Sequence, residues 1–571
     1  MKRNSNNLEN NNGQIYLELQ EIYKDYIFKN ISNSLLNDSF NSKKNTNLIS
    51  IEKLNKLNSE YLNNISNLLS SFFGLKNIEH NDKRFSSESW KKNPYHEFNA
   101  NFFLINKKFY ESFFQALNLE KTAKKKLMFM FNQAFDALAP SNFLVSNPEA
   151  QKKILETRGE SLIRGIGHML SDLKKGYVTQ TNEKAFEVGK DLAVSNGSVI
   201  YQNDLIQLIQ YKPLNSKIFE KPLLIIPPCI NKYYILDLQP ENSLVKFLLE
   251  KGHSVFIVSW KNPKNDNGFF LWDDYVEIGI IKSIQIVQEI SKQQKLNLMG
   301  FCVGGTILAT AIALLKKRKK NPVSSLSLLT TMLDFSEVGD IDFYIDDIQI
   351  RLLEKKVGKG GIVPGKNFSS AFSSLKANNL IWNNFESSYL KGENPETFDL
   401  LFWNSDSTNL PGPMFCYFLR NMYFNNSLII SNKLKISNQS IDLGQIQAPS
   451  FIYASKDDHI VPWKSAYEST KLINSKSRYR TKFILGASGH IAGVINPPIK
   501  NKRNYWINDK NYSTSDLWFE NAKKVSGSWW KEWAIFLSKY SGKKISSPKK
   551  TGNTTYKPIE KAPGSYVKVK C

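Results

Sequence analysis

The rhythm of apolar and polar positions changes several times along this 571-residue chain. Up to about residue 80 polar residues dominate, asparagine above all, and helical spacing surfaces only in IYLELQEIYKDYIF. So few apolar groups cannot offset the entropy of ordering, which predicts a polar, flexible extension over 1–80. From 81 to about 180, apolar residues recur at spacings of three and four, as in LMFMFNQAFDAL and SLIRGIGHMLSDL, and predict a helical domain.

Beyond residue 181 the period shortens. SVIYQNDLIQLIQY alternates like a pair of strands, and PLLIIPPCI and HSVFIVSW are short apolar runs closed by proline or turn residues. YVEIGIIKSIQIVQEI returns to helical spacing, and the strand LNLMG, the helix TILATAIALLKKRKK and the strand SSLSLLTTML follow. Strands alternating with helices at this spacing predict a mostly parallel central sheet covered on both faces, an α/β catalytic domain over 181–571. Glycine, proline and aromatics interrupt the pattern between about 340 and 445, an insertion placed where a lid would sit; the pattern resumes with APSFIYASKDDHIVPW and RTKFILGASGH. In the last helix, SWWKEWAIFLSKY, Trp529, Trp530, Trp533 and Phe536 fall near one side and read as core packing. Residues 542–571 carry eight lysines against one glutamate and are expected to form a basic extended arm.

Composition narrows the function classes. Hydrophobic residues make up 41 % and charged ones 22 %, the balance of an ordinary globular protein. No apolar run approaches the roughly 18 residues of a membrane span, and no apolar segment follows the basic residues of MKRNSNNLENNNGQ, so a cytoplasmic, non-transmembrane protein is expected. The net charge of +24 comes from lysine spread over the chain, with KKRKK and the tail as its clusters; neither carries a nucleic-acid-binding signature, so no nucleic-acid partner is expected. Cys229, Cys302, Cys416 and Cys571 show no paired spacing, and the six histidines are scattered, which leaves no metal site.

Chemistry concentrates in LNLMGFCVGGT. Gly300-Phe301-Cys302-Val303-Gly304 has the form of a nucleophile elbow, placed after a strand and before a helix, where the turn is too sharp for side chains at Gly300 and Gly304. Four cysteines, each needing glycine two before and two after at a frequency of 29 in 571, would give about 0.01 such boxes by chance. At a helix N-terminus the free N–H groups favour a thiolate and later an oxyanion. Val303 N–H is the first oxyanion donor of such a turn, and the loop PPCINKYY supplies the second through Cys229 or Ile230. A nucleophile needs a base and the base an orienting acid, in the α/β-hydrolase order nucleophile, acid, histidine. KDDHIVPW offers Asp457 or Asp458, and GASGH offers His490. His459 follows the candidate acid directly and is read as a substrate-site neighbour rather than the base.

GFCVGG, PPCINKYYILDLQPENSLV, WNSDSTNLPGPMFCYFLRN, DDHIVPW and GASGHIAGVINPPIKNKR together resemble the class I polyhydroxyalkanoate synthases, from about residue 80 to PGSYVKVK, within the α/β-hydrolase superfamily. The resemblance implies Cys302 as the acyl-carrying nucleophile, Asp458 rather than Asp457 as the acid, and His490 as the base. Glutamate usually stands where this chain has Asp457. It also implies (R)-3-hydroxyacyl-CoA substrates, short ones such as 3-hydroxybutyryl-CoA since the longer-chain class II type differs around the last histidine and NLPGP. A growing polyester and its granule surface, a homodimer, and no cofactor beyond the coenzyme A of the substrate are implied as well. Cysteine suits this chemistry because thioester-to-thioester exchange keeps the acyl group activated. The nearest alternative is an intracellular polyester depolymerase or thioesterase of the same fold; from another class, a non-catalytic basic granule- or polyanion-binding protein.

Overall fold

The computed structural model describes residues 48–73, 81–474 and 481–571. The helix expected at IYLELQEIYKDYIF lies outside them, as does most of the expected extension. The described residues fall into two compact units, divided between Gly159 and Glu160.

In the first unit, the helix Ile51–Phe72 opens on Ser50, whose hydroxyl accepts the Lys53 N–H. Asn93 caps Pro94–Ala116, which has proline in its first turn, where the missing N–H costs nothing. The two helices meet through Tyr61 and Phe109, ring centroids 4.7 Å apart, and Tyr61 Oη donates to Asn106 Oδ1 at 3.1 Å. A small core of Phe85, Trp90, Ala100, Phe103 and Ala139 completes the unit. Of the adjacent pair Phe102 and Phe103, only the second is buried.

The second unit starts earlier than the boundary near residue 180 that helical spacing suggests. Helix Glu160–Lys175 packs on the turn Phe385–Leu390 of the insertion: Gly165 lies against the Tyr389 carbonyl with no room for a Cβ, and Tyr389 Oη donates to buried Asp172 at 2.8 Å.

Eleven strands form the main sheet of this unit. They are β1 (Gly197–Gln202), β2 (Ile206–Tyr211), β3 (Leu223–Ile226), β4 (Val255–Trp260), β5 (Leu296–Phe301), β6 (Val323–Leu329), β7 (Ser450–Ser455), β8 (Thr481–Gly486), β9 (Asn504–Ile507), β10 (Lys523–Ser526) and β11 (Glu560–Lys561). Their spatial order is β10-β9-β8-β7-β6-β5-β3-β4-β2-β1-β11. Strands β3 to β8 pair in parallel, and the strands flanking them at either side are antiparallel. Successive residues enter opposite cores: Leu224, Ile226, Leu298, Leu328, Ile452 and Leu485 on one face, Leu223, Ile225, Met299, Leu329, Tyr453 and Ile484 on the other. That is why these strands read as unbroken apolar runs.

The basic arm is docked rather than free. Its strand β11 pairs with β1, Val567 is buried, Lys232 Nζ donates to the Val569 carbonyl at 2.5 Å, and the Cys571 thiol to that of Ser407 at 3.0 Å. The backbone hydrogen bonds of β1's outer edge outweigh the repulsion expected among the arm's lysines. No described helix is long and apolar enough to cross a membrane.

Candidate active site

At the carboxyl end of β5 the chain turns directly into helix Val303–Lys317, and Cys302 occupies the corner with φ 52° and ψ −130°. Holding a non-glycine residue there costs about 1–3 kcal/mol, so neighbours must impose it. Cys302 N–H donates to the Leu329 carbonyl of β6 at 3.0 Å; its carbonyl accepts from Gly305 N–H at 2.9 Å and from the Thr331 hydroxyl at 3.2 Å. A Cβ on Gly304 would stand 2.5 Å from the carbonyl oxygens of Ile226 and Pro227, and one on Gly300 would run into Gly305. A third glycine, Gly305, is as confined: its Cβ would overlap the Thr331 hydroxyl.

The turn after β7 brings up the acid. Asp458 Oδ1 accepts the N–H groups of Ile460 at 2.9 Å and Val461 at 2.8 Å, which leaves Oδ2 free to face His490 Nδ1 at 2.7 Å. Both side chains are buried. A carboxylate only accepts, so Nδ1 carries the proton and Nε2 is left for Cys302. Burial alone would pull the His490 imidazolium down, but the charges of Asp458 and Cys302, and hydrogen bonds to both, hold its pKa well above the ordinary value. A proton leaving Cys302 therefore has a stable seat on this ring. Phe301 stacks on His490 with centroids 5.9 Å apart.

Of the two adjacent aspartates, only Asp458 meets His490. Asp457 has an exposed side chain and uses its N–H to bind the Ser488 carbonyl at 3.0 Å, tying the acid and histidine loops together. His459 lies beside the insertion: its carbonyl accepts from Asp340 N–H at 3.3 Å, and burial, reinforced by Lys376, pulls its imidazole down to about 4. A neutral ring with Nδ1 buried and unpartnered among the described residues is not oriented as a base. Val303 N–H opens the helix, where the first amides have no intrahelical acceptor. In the loop after β3, Cys229 is buried and Ile230 partly exposed; the Ile230 carbonyl accepts Thr408 N–H at 3.2 Å, and Asn231 forms a β-bridge with Ser407. Nothing in the loop separates Cys229 from Ile230 as the second donor.

Sequence spacing gave no hint of Tyr423. This residue of the insertion has its phenol pushed up by burial and then by the charges of Cys302 and Asp458. It packs edge-on against Phe335 at 4.9 Å and Phe418 at 5.1 Å.

A mostly parallel sheet whose sharpest turn follows β5, with acid and histidine on later loops, is the plan of the α/β-hydrolase class, here with cysteine at the nucleophile corner. Residues 222–497 match the family described as alpha/beta hydrolase fold, and residues 81–248 the family described as poly-beta-hydroxybutyrate polymerase (PhaC) N-terminus. The poly(3-hydroxyalkanoate) polymerase subunit PhaC of Cupriavidus necator is 46 % identical over 86 % of this chain and 83 % of its own length; that of Rhizobium etli is 36 % identical over 85 % and 76 %. Among solved structures, a Paleococcus ferrophilus monoacylglycerol lipase covers 48 % of this chain and 88 % of its own at 14 % identity, TM-score 0.31. The chain belongs to the poly(3-hydroxyalkanoate) polymerase family.

Proposed function

We propose that this chain is an acyltransferase that polymerises (R)-3-hydroxyacyl groups from coenzyme A thioesters, 3-hydroxybutyryl-CoA foremost, and releases coenzyme A. The observation that carries the reading is the strained Cys302 corner facing a buried Asp458–His490 pair in a chain 46 % identical to a named polymerase.

Cys302 Sγ gives its proton to His490 Nε2 and attacks the thioester carbonyl. Val303 N–H and the N–H of Ile230 or Cys229 stabilise the tetrahedral oxyanion. Its collapse breaks the carbon–sulfur bond to coenzyme A, whose sulfur takes the proton from His490. The acyl group is now a thioester on Cys302, as activated as before. In the second half-reaction, His490 accepts the proton of a 3-hydroxyl that attacks this thioester, an ester bond forms, and the Cys302 thiolate is regenerated. Asp458 holds the imidazole tautomer and balances the imidazolium through both steps.

Water attacking the same thioester would release free acid. The insertion 340–445 acts as the lid that excludes it, with Tyr423 and Phe418 packed on Phe335 as an aromatic cover. An apolar product supports work at the surface of a polymer granule in the cytoplasm. The family resemblance supports a homodimer, with no cofactor beyond the substrate's own coenzyme A. Incubation with 3-hydroxybutyryl-CoA is expected to give polymer and free coenzyme A, and Cys302→Ala to abolish both while leaving the fold intact. Release of 3-hydroxybutyrate alone would instead identify a thioesterase.

A further inference from the structure

His490 begins a helix of five residues, His490–Val494, too short to stabilise itself through its own hydrogen bonds. Its carbonyl end is closed by side chains instead. The Gly493 carbonyl accepts the indole N–H of Trp529 at 3.0 Å, and the Val494 carbonyl that of Trp530 at 2.8 Å. The Arg503 guanidinium donates from Nη1 to the Ala492 carbonyl and, at 3.5 Å, to that of Ile495. The Ser528 hydroxyl donates to the Asn496 carbonyl. Five successive carbonyls, from Ala492 to Asn496, thus each meet a donor borne by residue 503, 528, 529 or 530.

Ordinary packing does not demand this pattern. The two indoles are buried, and burial by itself does not fix where an N–H points, yet each aims its single N–H at this turn. Trp529 is further fixed by stacking on Tyr453 of β7, the strand that leads into the Asp458 loop, at 4.1 Å. Arg503 holds φ 72°, a left-handed conformation a side chain rarely adopts, and among the described residues its guanidinium has no carboxylate partner. The residue itself is exposed, and partial burial of its guanidinium pulls the pKa down. A strained backbone thus presents the guanidinium to carbonyl oxygens of the His490 turn.

We propose that Arg503, Trp529 and Trp530 are positioning residues for catalysis: they clamp the His490 turn so that the imidazole stays aligned between Asp458 and Cys302. The proposal rests on His490 being the base. The imidazole has one bond to Asp458 and one face on Phe301, so the turn's backbone sets the remaining freedom of Nε2.

Arg503→Gly tests it, since glycine accepts φ 72° without strain while the side chain that bears the guanidinium is lost. Two quantities are followed: turnover of 3-hydroxybutyryl-CoA, and the pH profile of iodoacetamide alkylation at Cys302, read on its peptide by mass spectrometry. Alkylation below the ordinary thiol pKa reports the thiolate that His490 sustains. The expectation is a kcat lower by roughly 10- to 100-fold, the effect of losing a hydrogen bond to a charged group, with little change in KM. The alkylation profile should shift toward that of His490→Gln, and millimolar guanidinium should restore both readings. Trp530→Phe, which keeps an aromatic though smaller side chain and removes the N–H, should move kcat and the profile in the same direction without guanidinium rescue. Unchanged alkylation profiles in both variants, or a loss in Arg503→Gly that guanidinium leaves untouched, would overturn the clamp while leaving the base in place. Wild-type turnover and alkylation in His490→Gln would overturn the base assignment and the clamp with it.

Discussion

Two turns at the carboxyl edge of the same sheet place the two halves of the proton-transfer pair, and they are built on opposite principles. The Cys302 turn is fixed by what is absent. Gly300 and Gly304 let backbone approach backbone, and Gly305 lets the Thr331 side chain in, so closely that the corner has a single solution. The His490 turn is fixed by what is brought in: a carboxylate from the β7 loop, two indoles from the last helix and a guanidinium from the segment entering β9. Steric exclusion gives a nucleophile that cannot drift. Hydrogen bonds from remote side chains give a base whose alignment depends on each of them separately.

That contrast can be broken at its strongest point first. Asp458→Asn leaves the volume unchanged but offers Nδ1 no carboxylate, so turnover should fall about a thousandfold or more, while Asp457→Asn should leave kcat near wild type. Equal losses in the two variants would move the acid away from Asp458. On the other turn, Gly304→Ala puts a methyl 2.5 Å from two backbone carbonyls, so stability should drop by about 1–3 kcal/mol together with activity, in contrast to an Arg503→Gly variant that stays folded. Urea midpoints beside kcat separate the two modes; a Gly304→Ala protein as stable as wild type would show that the corner has slack.

The smallest effect on turnover belongs at the opposite end of the sheet. His253, just before β4, is buried, stacks on Phe219 at 4.9 Å and has its pKa pulled from 6.5 to about 4 by burial and then by Lys544. A depressed base is protonated first in the unfolded chain, so stability is complete above pH 6.5, falls as pH drops toward 4, and by then has lost about 3 kcal/mol. His253→Gln should flatten that decline between pH 7 and 5 in urea melts and leave kcat unchanged. An equally steep decline would assign the acid sensitivity to other groups.

The parallel strands, the elbow and the order Cys302, acid, His490 were legible in the chain because each rests on local rules: unbroken apolar runs for doubly covered strands, glycine at fixed offsets for a tight turn, polar loops after later strands. Strands β9 and β10 were not legible, since NYWI and KKVS are short and half-exposed and take their conformation from the neighbour they pair with. Helix Glu160–Lys175 carries ordinary amphipathic spacing that says nothing of its partner, and the fit of Gly165 against Tyr389 assigns it to the second unit. The WW pair read as core packing because periodicity counts apolar surface and not where an N–H points.

By itself the sequence determined the class of fold and pointed to Cys302, because sulfur between confined glycines at a strand–helix corner admits few other uses. Tertiary structure decided which aspartate meets His490, which histidine is paired and which is left neutral, where the basic arm lies, and which donors meet the His490 turn. Those outcomes depend on distances between segments far apart in the chain, and hydrogen-bond direction and desolvation exist only once those segments have met.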